Sequence, residues 1–253
     1  MQTANNMRIK RFGVCIAALC AVAAVSAATE TGDKEPFWLG GDISGMNATR
    51  LRVWVNPKDG FCSPEDVLKM AKRSQALGMP VMIDFHYSDW WADPGKQNPP
   101  KAWLGMTLEQ TEKALADHTR QTLRLLKDNG IDVKWVQVGN ETTHGFLWPM
   151  GRFEENPVNY ASLTKAGIKA VREVYPEAEV IIHLDNGFDQ GLYDRVFDSL
   201  KSNGVEWDTI GISVYPYWTP EWNAEDDYRL GAFSRNMPTV IMDAFKEAAS
   251  SAR

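Results

Sequence analysis

The chain has 253 residues, 44% of them apolar and 24% charged, and carries a net charge of −6. That balance suits one globular domain with a sizeable core and excludes a disordered polyelectrolyte. The negative sign argues against nucleic acid or an anionic membrane surface as partner.

The N-terminus reads as an address. Arg8, Lys10 and Arg11 precede an apolar run over 12–25, and Val25-Ser26-Ala27 supplies the small residues of a cleavage site, so residues 1–27 are expected to be a secretory signal peptide. The run is shorter than the roughly 20 residues of a spanning helix. The protein is therefore expected to be secreted or periplasmic, with no membrane contact after cleavage. Losing those three cations takes the charge from −6 to −9. Of the three cysteines only Cys62 follows the leader, so no intrachain disulfide is expected and stability must come from packing.

Residues 28–253 read as a single domain in which apolar runs alternate with helical patterns. Strands are expected at Phe37 to Ser44, Ala48 to Val55, Pro80 to Tyr87, Val133 to Asn140, Val180 to Asp185 and Thr209 to Tyr215, several nearly continuous in apolar residues, as buried parallel strands are. Ser63 as cap, Pro64 in the first turn and Glu65 and Asp66 at the positive end of the dipole start a helix that stops at Gly78. Thr107 and Gln110 have capping-box spacing for a long helix ending at Gly130. Further helices are expected from about Asn159 to Tyr175, from Asp189 to Asn203, and in the tail, where Val240, Ile241, Ala244, Phe245 and Ala248 keep helical spacing.

Repeated strand-then-helix units imply an α/β fold with a parallel sheet, and at this length the (β/α)8 TIM-barrel type leads over an open doubly wound sheet, for which no Gly-rich phosphate loop is found. Only Gly45, Met46 and Asn47 separate the first two strands, whereas a parallel crossover needs a dozen or more residues. With the tail helical, about six strands are expected, an incomplete barrel.

Barrels keep their chemistry at the carboxyl ends of strands. Alternation puts Gln137, Gly139 and Glu141 on one face, Arg50, Arg52 and Trp54 on another, and Asp84 with His86 on a third. Glycoside hydrolases need one carboxyl group to protonate the leaving oxygen and a second opposite it. Glu141 suits the first role, with Asn140 bonding a sugar hydroxyl. Exposed aromatic rings near such a cleft can stack on the C–H face of a sugar, although a lone Trp is as often core. His86 and His183 could touch substrate or sit satisfied in the barrel interior. No tight ligand spacing supports a metal, and no cofactor is expected.

Several motifs together resemble the family 53 glycoside hydrolases, the secreted endo-β-1,4-galactanases. They are Arg50-Leu51-Arg52-Val53-Trp54-Val55, Asp84-Phe85-His86-Tyr87-Ser88-Asp89 followed by Trp90-Trp91-Ala92-Asp93-Pro94-Gly95-Lys96-Gln97, Val136-Gln137-Val138-Gly139-Asn140-Glu141, His183-Leu184-Asp185-Asn186-Gly187, and Tyr215-Pro216-Tyr217-Trp218. The resemblance runs in order from about Gly40 to Trp218. It implies a (β/α)8 barrel of the large retaining clan, endo-acting on plant cell-wall galactan or arabinogalactan, with Glu141 as acid/base. It implies a supporting arginine on the second strand, which pattern leaves open between Arg50 and Arg52; Arg52, nearer the carboxyl end, is preferred. The substrate-binding set it implies is Asp84, His86, Asp89, Trp90, Trp91, Asn140, His183, Asp185, Asn186, Tyr217 and Trp218.

Two departures from the family pattern accompany it. The helix between the first two strands is missing, and the family's nucleophile, a Glu ending the seventh strand, has no counterpart: Glu221, Glu225 and Glu247 follow no buried strand. Three readings stay open on this ground: a galactanase, a noncatalytic galactan-binding remnant, and an unstable fragment.

Overall fold

The computed structural model describes residues 48–187 and 189–213. The expected strand Phe37 to Ser44, the tail helix, Tyr217, Trp218 and the three late glutamates lie outside the described residues.

Within them the chain runs β1 (Thr49–Val53), α1 (Pro64–Ala76), β2 (Val81–Phe85), α2 (Leu108–Asp128), β3 (Val133–Val138), a small hairpin of β4 (Gly145–Phe146) and β5 (Gly151–Arg152), α3 (Pro157–Val174), β6 (Glu179–Leu184), α4 (Gln190–Ser202) and β7 (Thr209–Ile212). The helix starts follow their capping chemistry. Ser63 Oγ accepts the Asp66 N–H at 3.3 Å. Thr107 and Gln110 exchange side-chain and backbone bonds at 3.3 and 2.9 Å, the reciprocal capping box the spacing predicts. Such caps contribute about 1 kcal/mol each. No helix among the described residues is long and apolar enough to cross a membrane.

Five strands form one parallel sheet in the order β1-β2-β3-β6-β7. Each strand pairs with the next long strand in the chain, without the reversal of order that defines a doubly wound sheet. That sequential winding, with a helix between neighbours, is the barrel's, and five of the six expected strands are accounted for. The sixth, Phe37 to Ser44, precedes the described region.

The central strands β2, β3 and β6 are buried on both faces and are accordingly rich in apolar residues. One face packs under the helices: Leu51, Val53, Ile83, Phe85, Val136, Val138, Ile182 and Leu184 join Leu115, Leu123, Leu163 and Val196 in a single core. Gly167 lets α3 settle onto β3, since a Cβ there would lie 2.7 Å from Val138 Cγ1. On the other face Ala48, Met82, Trp135 and Ile181 make a separate apolar floor. One step further along the strands, the inward positions turn polar.

Candidate active site

Two residues beyond the floor, period-2 alternation brings Arg50, Asp84, Gln137 and His183 to the same inward face. A buried carboxylate needs a charge partner, and Asp84 has one in Arg50, whose Nη2 lies 2.8 Å from Oδ2. Gln137 Nε2 donates to Asp84 Oδ1 at 2.5 Å. Burial alone would push the Asp84 carboxyl up, but Arg50, His86 and His183 together outweigh it and hold it down at about 2. His86 accepts the Ala92 N–H on Nδ1 at 3.1 Å, which leaves Nε2 to donate to Asp84 at 3.2 Å.

This polar layer supports the end of β3. Asn140 Oδ1 accepts from Arg50 Nη2 at 2.8 Å, and its Nδ2 donates to Ala92 O at 2.8 Å. Glu141 follows in a left-handed backbone conformation, φ 48° and ψ 52°, which costs a non-glycine residue about 1–3 kcal/mol and persists only where its surroundings over-determine it. They do. Gln97, 1% exposed, directs Nε2 at three carbonyls: Asn140 O at 2.8 Å, Asp93 O at 3.1 Å and Glu141 O at 3.3 Å. From the other side the Glu141 N–H donates to His183 Nδ1 at 3.2 Å, while His183 Nε2 meets Ser213 Oγ at 2.9 Å. Gly139, with φ 87°, opens the turn; a Cβ there would fall 2.5 Å from Thr142 Cγ2. Burial, with Arg50 nearby, lowers the His183 pKa to about 3, so the ring is neutral.

Tyr87 and Asn186, which follow β2 and β6, are also left-handed, at φ 49° and 51°. Asn186 is exposed. Asp185 accepts a short hydrogen bond from the Thr143 hydroxyl, and burial raises its carboxyl pKa. Thr143 Oγ1 in turn accepts the Asp185 N–H at 3.0 Å. The rim over β1 and β2 is aromatic: Trp90 and Trp91 are about half exposed, and Trp54 lies buried between them.

Arg50, Asp84, His86, Asn140, Glu141 and His183 thus meet in one cluster, with Trp91 against His86 at 5.9 Å between ring centroids. Arg52 does not join it. Its guanidinium lies 3.6 Å from the Trp91 ring centroid, and Arg50, the alternative to the preferred Arg52, is the arginine beside Asn140. Arg50 is set one layer deeper, and the network it supports lies at that depth. Asp89 also departs from expectation: its two oxygens accept the Asn56 N–H at 3.1 Å and the Lys101 N–H at 2.9 Å, which staples two loops together. Asp84, His86 and His183 are interior residues that position others. Gln97 and Gln137 carry roles the sequence reading did not assign, although Gln97 closes the longest motif and Gln137 shares its strand face with Glu141. Among the described residues no group of His, Cys, Asp and Glu could hold a metal ion.

A sequentially wound barrel wall with an Asn-Glu pair at a strand's carboxyl end, clamped in place beside exposed tryptophans, has the build of a barrel glycoside hydrolase. Residues 13–241 match glycosyl hydrolase family 53, and the chain belongs to that family. A probable arabinogalactan endo-β-1,4-galactanase A of Neosartorya fischeri is 37% identical over 184 residues, covering 70% of this chain and 51% of its own. The family 53 catalytic domain of Ignisphaera aggregans superposes with a TM-score of 0.68 at 38% identity, over 74% of this chain and 53% of that one. A fungal β-1,4-galactanase structure gives 0.69 at 34% identity, over 74% and 57%. The chain spans about half the length of the curated relatives it matches.

Proposed function

We propose that this chain carries the acid/base half of an endo-acting β-1,4-galactanase, with galactan or arabinogalactan as substrate, exported by the leader at residues 1–27. The observation that supports it most is Glu141: 6% exposed, strained, and fixed through both its amide and its carbonyl at the end of β3, where a barrel glycosidase needs its proton donor.

In the retaining route Glu141 gives its proton to the glycosidic oxygen as the bond to C1 breaks, and a second carboxylate attacks C1. In the second step Glu141 takes a proton from water, which displaces that carboxylate. That second carboxylate is assigned to no residue of this chain. Asn140 offers its remaining amide hydrogen to a sugar hydroxyl, Asp185 and Asn186 bond others, and Trp90 and Trp91 present ring faces to the sugar's C–H groups. Arg50, Asp84, His86 and His183 act at one remove by holding Asn140 and Glu141.

Linear β-1,4-galactan incubated with the purified protein is expected to yield short galacto-oligosaccharides of mixed length from the first minutes, as cleavage at internal bonds does. Galactose alone as the early product would overturn the endo-acting reading.

A further inference from the structure

The aromatic rim does not stop at the two tryptophans. Phe61, in the loop between β1 and α1, is 59% exposed, and its ring stands edge-on to Trp54 at 6.1 Å. Trp54 in turn contacts Trp90 at 4.7 Å and Trp91 at 6.0 Å, so four rings form one continuous strip. Its inner end is anchored to the site, because Trp91 precedes Ala92, whose carbonyl holds Asn140.

An exposed phenylalanine on a loose loop would carry no message, since scattered surface apolar residues are ordinary. This one is held rigidly. Its neighbour Cys62 is buried and left-handed, at φ 58°. The Cys62 carbonyl accepts the Trp54 N–H at 2.9 Å, and its own N–H donates to Asp66 Oδ2 at 3.0 Å. The same loop is tied to the loop bearing Trp90: Val55 N–H donates to Ser88 O at 2.9 Å, and Asp89 accepts the Asn56 N–H. Phe61 and Trp90 are therefore presented by two stapled loops, with Trp54 wedged beneath. Asn56, Lys58 and Asp59, in the same loop as Phe61, are all exposed and carry groups able to bond hydroxyls. Flat apolar faces bordered by polar side chains suit a sugar, with its C–H face and ring of hydroxyls, better than the broad apolar core of a protein interface.

We propose that Phe61, with Trp90, forms an outlying sugar-binding platform that takes a galactosyl unit of a long galactan chain already seated beside Glu141. This rests on the galactan reading above and adds to it a place that short oligosaccharides do not reach.

The test is calorimetric binding in a Glu141→Gln background, so that ligand is not consumed, with long linear β-1,4-galactan and galactobiose as probes. Phe61→Ala is expected to weaken binding of the long chain about tenfold, the scale of one lost aromatic contact, and to change galactobiose affinity less than twofold. Phe61→Trp should restore the long-chain affinity. An unchanged thermal midpoint for Phe61→Ala checks that the fold is intact, as expected at so exposed a position. If the parent binds galactan and Phe61→Ala binds it equally well, the platform is refuted and the galactan reading stands. If the parent binds no galactan, both fall. If Phe61→Ala instead abolishes a concentration-dependent dimer while leaving galactan affinity alone, the strip is a self-association surface and the proposal is wrong.

Discussion

Replacing Gln97 by Leu removes one amide and keeps most of the side chain's volume. In the folded protein that amide faces the carbonyls of Asp93, Asn140 and Glu141 at 2.8 to 3.3 Å. Its two hydrogens can make two good bonds at a time. A buried acceptor left without a partner costs about 1–3 kcal/mol, so the substitution should destabilise the protein by about 2–4 kcal/mol, a large share of the 5–15 kcal/mol typical of a domain. Part of the loss reflects Glu141 itself, since the clamp is what opposes its left-handed strain. Gln97→Glu should be worse, because a carboxylate would face the same carbonyls. Urea unfolding followed by tryptophan fluorescence gives the free energy from midpoint and slope. A change below about 0.5 kcal/mol, the range of an ordinary surface substitution, would refute the clamp.

Three other outcomes follow from the same cluster. Arg50→Ala strands the Asp84 carboxylate and should cost about 3–5 kcal/mol in urea unfolding, whereas Arg52→Ala loses chiefly its stack on Trp91 and should cost about 1 kcal/mol; equal effects would contradict the placement of the two arginines. Gly167→Ala forces a methyl against Val138 and should lower stability by about 1–3 kcal/mol, read as a drop in thermal midpoint, with no change expected if α3 and β3 were loosely packed. Stability should also fall in acid. The unfolded His183 takes up a proton near pH 6.5, the folded one only near 3, so its contribution is complete above 6.5 and shrinks by about 3 kcal/mol on descending to pH 4. His118, lowered to about 4 by burial, adds to this loss, and Asp84 joins below about pH 4 as it approaches its folded value of about 2. A urea midpoint that stays constant from pH 7 to pH 4 would contradict these assignments.

The strands and helices were legible because local chemistry and tertiary need agree. Val81–Phe85 is apolar but for Asp84 and buried on both faces, and Thr107 with Gln110 caps the helix their spacing announces. Glu141 was legible for a similar reason, since the end of a buried strand in a barrel is where chemistry collects. Arg50 and Arg52 were harder. Alternation puts both on one face, and what separates them is depth: one layer down lies Asp84, one layer up lies Trp91. Strand periodicity says nothing of which layer holds the acid's supports. Gln97 was hidden more deeply, because its partners are backbone carbonyls, two of them some forty residues away, and backbone carbonyls leave no mark in a sequence. The β4–β5 hairpin, two residues to a strand, is too short for any periodicity to reveal. Asp89 reads as a free carboxylate in the sequence and becomes a loop staple only once Asn56 and Lys101 are brought to it.

The central claim concerns Glu141, and the most direct measurement compares the protein with its Glu141→Gln variant on linear β-1,4-galactan, by the rate at which new reducing ends appear. The amide keeps the shape and cannot give up a proton. The parent is expected to release galacto-oligosaccharides, and the variant to do so about 10²–10⁴-fold more slowly, the range of a lost general acid/base, while binding galactan as before. A variant that releases them at the parent's rate would contradict the assignment of Glu141 as proton donor, and a parent that releases none would overturn the reading that this chain hydrolyses galactan.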